Sequence, residues 1–152
     1  MARSGLKLKI AWVGRTKESA IQSLTAEYLK RISRYADVEG LELRDEAAIL
    51  QLAAGKSHAK QSHKLILLDP GGKPLSSQEL AAFVEDLTSR ATPVVFAIGG
   101  ADGFSAEALK AADTRISFGK MTFPHELARV ILVEQLYRAF TILQGHPYHS
   151  GH

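Results

Sequence analysis

Apolar and polar positions fall along the chain in blocks whose period changes. Lys7–Val13 (KLKIAWV) alternates lysine with apolar residues, the period of two of a strand, and Gly14 ends it. From Thr16 to about Tyr35 the apolar positions Ile21, Leu24, Ala26, Tyr28, Leu29 and Ile32 fall at helical spacing. Val38–Leu43 alternates again and predicts a short strand, Asp45–Ala54 predicts a second helix, and the polar stretch Gly55–His63 predicts a loop. Lys64–Asp69 (KLILLD) and Pro93–Ile98 (PVVFAI) are continuous apolar runs, stopped by Pro70-Gly71-Gly72 and by Gly99-Gly100, as strands buried on both faces are. Between them, Ser76 or Ser77 can cap a helix reaching about Arg90, with Glu79 placed for a capping box. Ser105 caps a short helix to about Ala112, Arg115–Phe118 forms a last strand, and His125–Leu143 forms a long helix.

Strands alternating with helices predict an α/β fold with a largely parallel sheet covered on both faces. With no internal repeat or linker, the 152 residues read as one domain, 1–152. The last helix departs from simple amphipathicity. Leu127, Val130, Ile131, Leu132, Val133, Leu136, Tyr137, Ala139, Phe140, Ile142 and Leu143 wrap more than one stripe, which calls for burial nearly all round. One sheet face cannot supply that, so a second subunit is the expected cover, and a two-fold homodimer follows.

Composition narrows the class. Hydrophobic content of 45% and charged content of 23% are ordinary for a globular protein. The absence of cysteine excludes disulfides, thiolate metal sites and a thiol nucleophile. No apolar run approaches the roughly 18–20 residues of a membrane span, and the N-terminus has no signal-type apolar region, so a cytoplasmic location is expected. The net charge of +3 is unevenly spread: residues 1–60 carry eleven Lys/Arg against seven Asp/Glu, residues 61–152 eight against nine. Attraction for an anionic partner is therefore expected on the N-terminal half, with Lys7, Lys9, Arg15 and Lys17 as candidate phosphate contacts.

Candidate chemistry gathers in loops and at the C-terminal end. Loops 68–73, 99–103 and 118–124 all follow strands, the edge at which open α/β sheets bind ligands. Gly99-Gly100-Ala101-Asp102-Gly103 is neither a dinucleotide-binding fingerprint nor a phosphate-binding P-loop. Four of the six histidines (His125, His146, His149, His152) lie in the last 28 residues. His125-Glu126 lacks the second histidine of a zinc-protease helix, because Arg129 stands there. The spacing of three among His146, His149 and His152 suits no more than adventitious chelation, so no metal is expected. Arg138 follows Glu134 by four, the spacing of a surface ion pair, yet its apolar surroundings tilt it toward holding an anion or a carbonyl oxygen.

Leu67-Leu68-Asp69 with Gly72-Lys73-Pro74, Ile98-Gly99-Gly100 with Gly103, the run Ser117 to His125, Arg129-Val130, Glu134 to Ala139 and Pro147-Tyr148-His149 together resemble one family. It is that of ribosomal RNA large subunit methyltransferase H, among the SPOUT methyltransferases. The resemblance is dense from residue 64 onward and holds in layout before it. It implies a parallel sheet flanked by helices with a C-terminal trefoil knot in about 64–152. It implies methyl transfer from S-adenosylmethionine to N3 of pseudouridine-1915 in 23S rRNA of the assembled ribosome. The family's cofactor positions fall on Leu68, Gly99, Phe118, Gly119, Lys120, Met121, Thr122 and Phe123. For proton removal His149 is the expected acceptor, with Arg138 stabilising charge on the carbonyls, Tyr148 orienting the base and His125 in reserve. The 45–63 stretch is shorter than the family's usual excursion, which bears on RNA contacts. The competing readings are a non-catalytic ribosome- or RNA-binding protein of the same fold and a nucleotide-binding α/β domain with another substrate.

Overall fold

The computed structural model describes residues 3–55 and 63–151. Five strands form one all-parallel sheet: β1 (Lys7–Val13), β2 (Asp37–Leu43), β3 (Lys64–Pro74), β4 (Val94–Ile98) and β5 (Thr114–Ser117), in the order β2-β1-β4-β3-β5. Five α-helices connect and follow them: α1 (Ser19–Ile32), α2 (Glu46–Ala54), α3 (Ser77–Arg90), α4 (Ala106–Ala111) and α5 (His125–Gln144). Strand alternation divides the core. Leu8, Ile10, Trp12, Ile66, Phe96 and Ile98 face α1, α3 and α5, while Ala11, Leu65, Leu67, Val95 and Ala97 face α2 and α4. The larger residues lie on the three-helix face, which holds the main core.

Local chemistry sets the helix ends. Asp45 and Ser105 each accept a backbone N–H of the helix they open, and Ser76 with Glu79 forms a reciprocal capping box on α3. α1 begins three residues later than its periodicity predicts. Thr16 is buried, its N–H and hydroxyl both donating to Glu42, so it belongs to the turn and not to the helix. No side chain of α1's own start caps it; Glu126 of α5 accepts the N–H groups of Lys17 and Glu18 at 3.3 and 3.4 Å.

Two further elements differ from expectation. β3 does not stop at Pro70-Gly71-Gly72 but continues to Pro74. It pairs with β5 up to Leu68↔Ile116, slips, and resumes at Lys73↔Ile116 and Pro74↔Ser117. Gly72 makes that crossing possible, since a Cβ there would lie 2.7 Å from the backbone of Arg115 and Ile116. The chain end folds into a 3-10 helix, Pro147–Gly151. The loop expected at Gly55–His63 lies, apart from its two ends, outside the described residues, as does His152.

One sheet face does not cover α5 alone, as expected, but much of the further cover that a second subunit was expected to give comes from α1 and α3 of its own chain. It lies between α1 and α3 with Leu132, Val133, Leu136, Ala139 and Phe140 buried, and Tyr35 stacks on Phe140. What is left toward solvent is a strip through Leu127, Val130, Ile131, Glu134 and Arg138, with Leu127 48% exposed.

Candidate functional site

The carboxyl ends of β3, β4 and β5 open into a cleft of about 520 Å3. Its walls come from all three loops that the sequence singled out: 68–70, 98–104 and 117–124, with His125 and Ala128 of α5 closing one side. Leu68, Gly99, Phe118, Gly119, Met121, Thr122 and Phe123 line it; Lys120 is exposed and does not. Gly119 has φ of 110°, a conformation a side chain would strain, and the Ser117 hydroxyl fixes it by accepting its N–H and donating to its carbonyl. Gly99 packs on the backbone of Gly103, where a Cβ would approach to 3.1 Å. The result is a slot with apolar walls (Leu68, Ile98, Phe118, Phe123) and a rim of backbone groups, of a size that takes a nucleoside-sized ligand. Adenine needs that combination. The donor set fits S-adenosylmethionine.

His125, the reserve proton acceptor, opens α5 and faces this cleft. The other three candidates lie elsewhere. From His125 to Arg138 the helix climbs roughly 20 Å at about 1.5 Å per residue. There the Arg138 guanidinium meets Glu134 at 2.7 Å and lies 5.2 Å from the centre of the Tyr148 ring. Tyr148 donates to the same Glu134 oxygen at 2.8 Å, its hydroxyl is 3.3 Å from that of Tyr28, and its ring meets Tyr137 edge-on. Burial, then Tyr28 and Glu134, push the Tyr148 phenol well above its ordinary value, so it stays protonated at neutral pH. The Glu134 hydrogen bond raises Arg138 further. His149 follows Tyr148 in the 3-10 helix, and its Nδ1 is buried with no hydrogen-bond partner among the described residues.

The structure therefore brings Arg138 and Tyr148 together on Glu134, and none of Arg138, Tyr148 and His149 lines the cleft. Sequence reasoning took Arg138 out of its pair with Glu134, whereas the two stay joined and Glu134 also holds Tyr148. The spacing of four was the signal for the first link; nothing local signals Tyr28, which comes from α1. The proposed phosphate contacts Lys7, Lys9, Arg15 and Lys17 do not form one patch. β1 carries the chain about 20 Å between Lys7 and Val13, so these cations are spread from one sheet edge to the other. Among the described residues no cluster of potential metal ligands is present, and no helix is long and apolar enough to cross a membrane.

A parallel sheet with its ligand cleft at the carboxyl edge is the framework of many α/β enzymes, and similarity to known proteins narrows the class. The profile of the family described as "predicted SPOUT methyltransferase" matches residues 6–149. Among solved structures, the SpoU methyltransferase AviRb from Streptomyces viridochromogenes, in complex with AdoMet, shares the fold. Its TM-score is 0.56 at 12% identity, over 91% of this chain and 59% of its own. Proteins named ribosomal RNA large subunit methyltransferase H are similar over nearly their whole length. That of Koribacter versatilis is 52% identical over 148 residues, 97% of this chain and 100% of that protein. That of Geobacter sulfurreducens is 42% identical over 152 aligned positions, 95% and 99% of the two chains. The chain belongs to the SPOUT methyltransferases, in the family of ribosomal RNA large subunit methyltransferase H.

Proposed function

We propose that this protein transfers a methyl group from S-adenosylmethionine to N3 of pseudouridine-1915 in 23S rRNA of the assembled ribosome, as a cytoplasmic homodimer. Kinship along the full chain supports the reaction class. The observation that carries the assembly is the split of the site along α5. The cleft suited to the cofactor takes His125 and Ala128 at one end of the helix, whereas Arg138 and Tyr148 meet about 20 Å along it from His125 and do not line it. Two copies paired through the strip Leu127–Arg138 bring the tail of each to the cleft of the other. The same reading carries a trefoil knot in 64–152, supported by the second stretch of β3–β5 pairing and the return of α5 to the middle of the sheet.

The cofactor supplies a sulfonium methyl that is already electrophilic, leaving the protein to align the base and manage one proton. The imide N3 of pseudouridine must shed its proton as the new bond forms, and charge then spreads to the flanking carbonyls. Arg138, held rigid by Glu134, offers its remaining N–H groups to such a carbonyl. Tyr148, protonated and clamped by Glu134 and Tyr28, donates a hydrogen bond and sets the ring plane. The unpartnered Nδ1 of His149 is the acceptor for the proton. Mass spectrometry of 23S rRNA after incubating unmodified ribosomes with protein and cofactor tests the reading. One added methyl on that pseudouridine is expected; unchanged rRNA beside measurable cofactor binding would instead mark a non-catalytic RNA-binding protein.

A further inference from the structure

The dispersal of Lys7, Lys9, Arg15 and Lys17 leaves open where a polyanion would dock, and another surface fits. Around the C-terminal end of α1 four cations converge from two segments. Lys30 in the last turn of α1 and Arg34 in the turn that follows it are both exposed. Arg31 lies between them, paired with Glu27 at 2.7 Å and stacked over Tyr28 at 5.0 Å. Arg3 arrives from the chain start and donates to the carbonyl of Ala36 at 3.1 Å, beside the Ser4 N–H to Tyr35 carbonyl bond. Among the described residues Arg3, Lys30 and Arg34 have no carboxylate within ion-pair distance, and Asp37 is the unpaired acidic neighbour. Glu27 registers the local field: its carboxyl is held low first by Arg31 and further by Lys30 and Arg34.

Cations in a last helical turn also complement the negative end of the helix. That covers Lys30 and Arg31, but not Arg34, which follows the helix, or Arg3, which no helix end requires. Nor does it explain what adjoins them: Tyr28, one turn back on α1, touches Tyr148 of the tail. Arg31, stacked over both Tyr28 and Tyr137, links the charged end of α1 to the ring cluster that holds Tyr148.

We propose that Arg3, Lys30 and Arg34 are the RNA-docking surface, gripping backbone phosphates on either side of the nucleotide that the tail receives. The inference rests on the proposed reaction for the identity of the RNA. It assigns the phosphate grip to the side of the protein that carries Arg138, Tyr148 and His149, so the subunit that lends its tail also holds the substrate strand.

The test is cosedimentation of the full-length protein with purified ribosomes over a series of KCl concentrations. Wild type is compared with R3A/K30A/R34A and with K17A/K73A/K110A, which removes the same charge from exposed positions elsewhere. The patch variant is expected to bind roughly 10-fold or more weakly, with a salt slope shallower by about 2–3, since each lost phosphate contact takes about one unit. Its affinity for S-adenosylmethionine should not change. Equal affinity and slope in wild type and patch variant would overturn the proposal, as would the same loss in the charge-matched control. Should the triple variant unfold, K30A/R34A, which alters exposed side chains only, gives the same comparison. Ribosome binding that depends on the patch but leaves rRNA unmethylated would sink the proposed reaction and leave the docking surface standing.

Discussion

Arg129 shows how much one side chain can organise. It is 1% exposed, its guanidinium donates to the Thr16 hydroxyl at 2.7 Å and packs 4.2 Å over the Trp12 ring, and its Nε has no hydrogen-bond partner among the described residues. Burial lowers its pKa, opposed by the nearby carboxylates of Glu126 and Glu42, and a guanidinium so partnered stays charged. It ties the end of β1, the turn before α1 and the first turn of α5, and so steadies the wall of the cleft that His125 and Ala128 provide. His63 makes a different demand. Burial first, then Lys9, lowers its pKa from the ordinary 6.5, so the folded state holds a neutral ring while the unfolded chain takes up a proton. Stability is therefore full above pH 6.5 and falls as pH drops below that value toward the lower folded pKa. Urea midpoints at pH 7.5 and 5.5 should differ more for wild type than for His63→Gln; identical pH dependence would refute the assignment.

At the scale of elements, α1 depends on a distant residue for its start. Glu126→Ala should expose the amides of Lys17 and Glu18, cost about 1 kcal/mol as lost caps do, and lower Tm by about 2–4 °C. Hydrogen exchange should quicken at Lys17 and Glu18 and remain slow in α3, whose Ser76 and Glu79 cap is intact; uniform quickening would mean a global effect instead. This dependence is also why the start of α1 was illegible in the sequence: Thr16 reads as a helix opener until Glu42 and Arg129 claim it. Buried strands and locally capped helices were legible, because apolar runs such as PVVFAI and the serine caps at 76 and 105 carry their own signals. β3 was cut short for the opposite reason. Pro70-Gly71-Gly72 is a valid local stop, and only β5, more than forty residues later, offers the partner that restores pairing at Lys73. The three cleft loops were likewise readable from their position after strands, whereas the tail's partners Tyr28 and Glu134 are matters of tertiary contact.

For the whole molecule, the separation of cleft and tail has a sharp consequence in mixed assemblies. Gly99→Val obstructs the cleft against Gly103, and Tyr148→Phe removes the phenol that Glu134 holds. If each site draws on two subunits, mixing the two inactive variants and allowing exchange should restore about a quarter of the wild-type methylation rate, since half the dimers are mixed and each has one intact site. No recovery would place cleft and tail in the same subunit.

The cap on α1 also bears on how the chain folds. α1 is completed by Glu126, more than a hundred residues further on, and Ile32 with the following Tyr35 packs in one cluster with Tyr137 and Phe140. Sheet assembly follows the same logic, because β1 has β2 on one side and β4 on the other. With α1 and α5 held in one core, the protein is expected to fold slowly for its size and in a single step, and a stopped-flow refolding trace with an early, separate α1 phase would refute this.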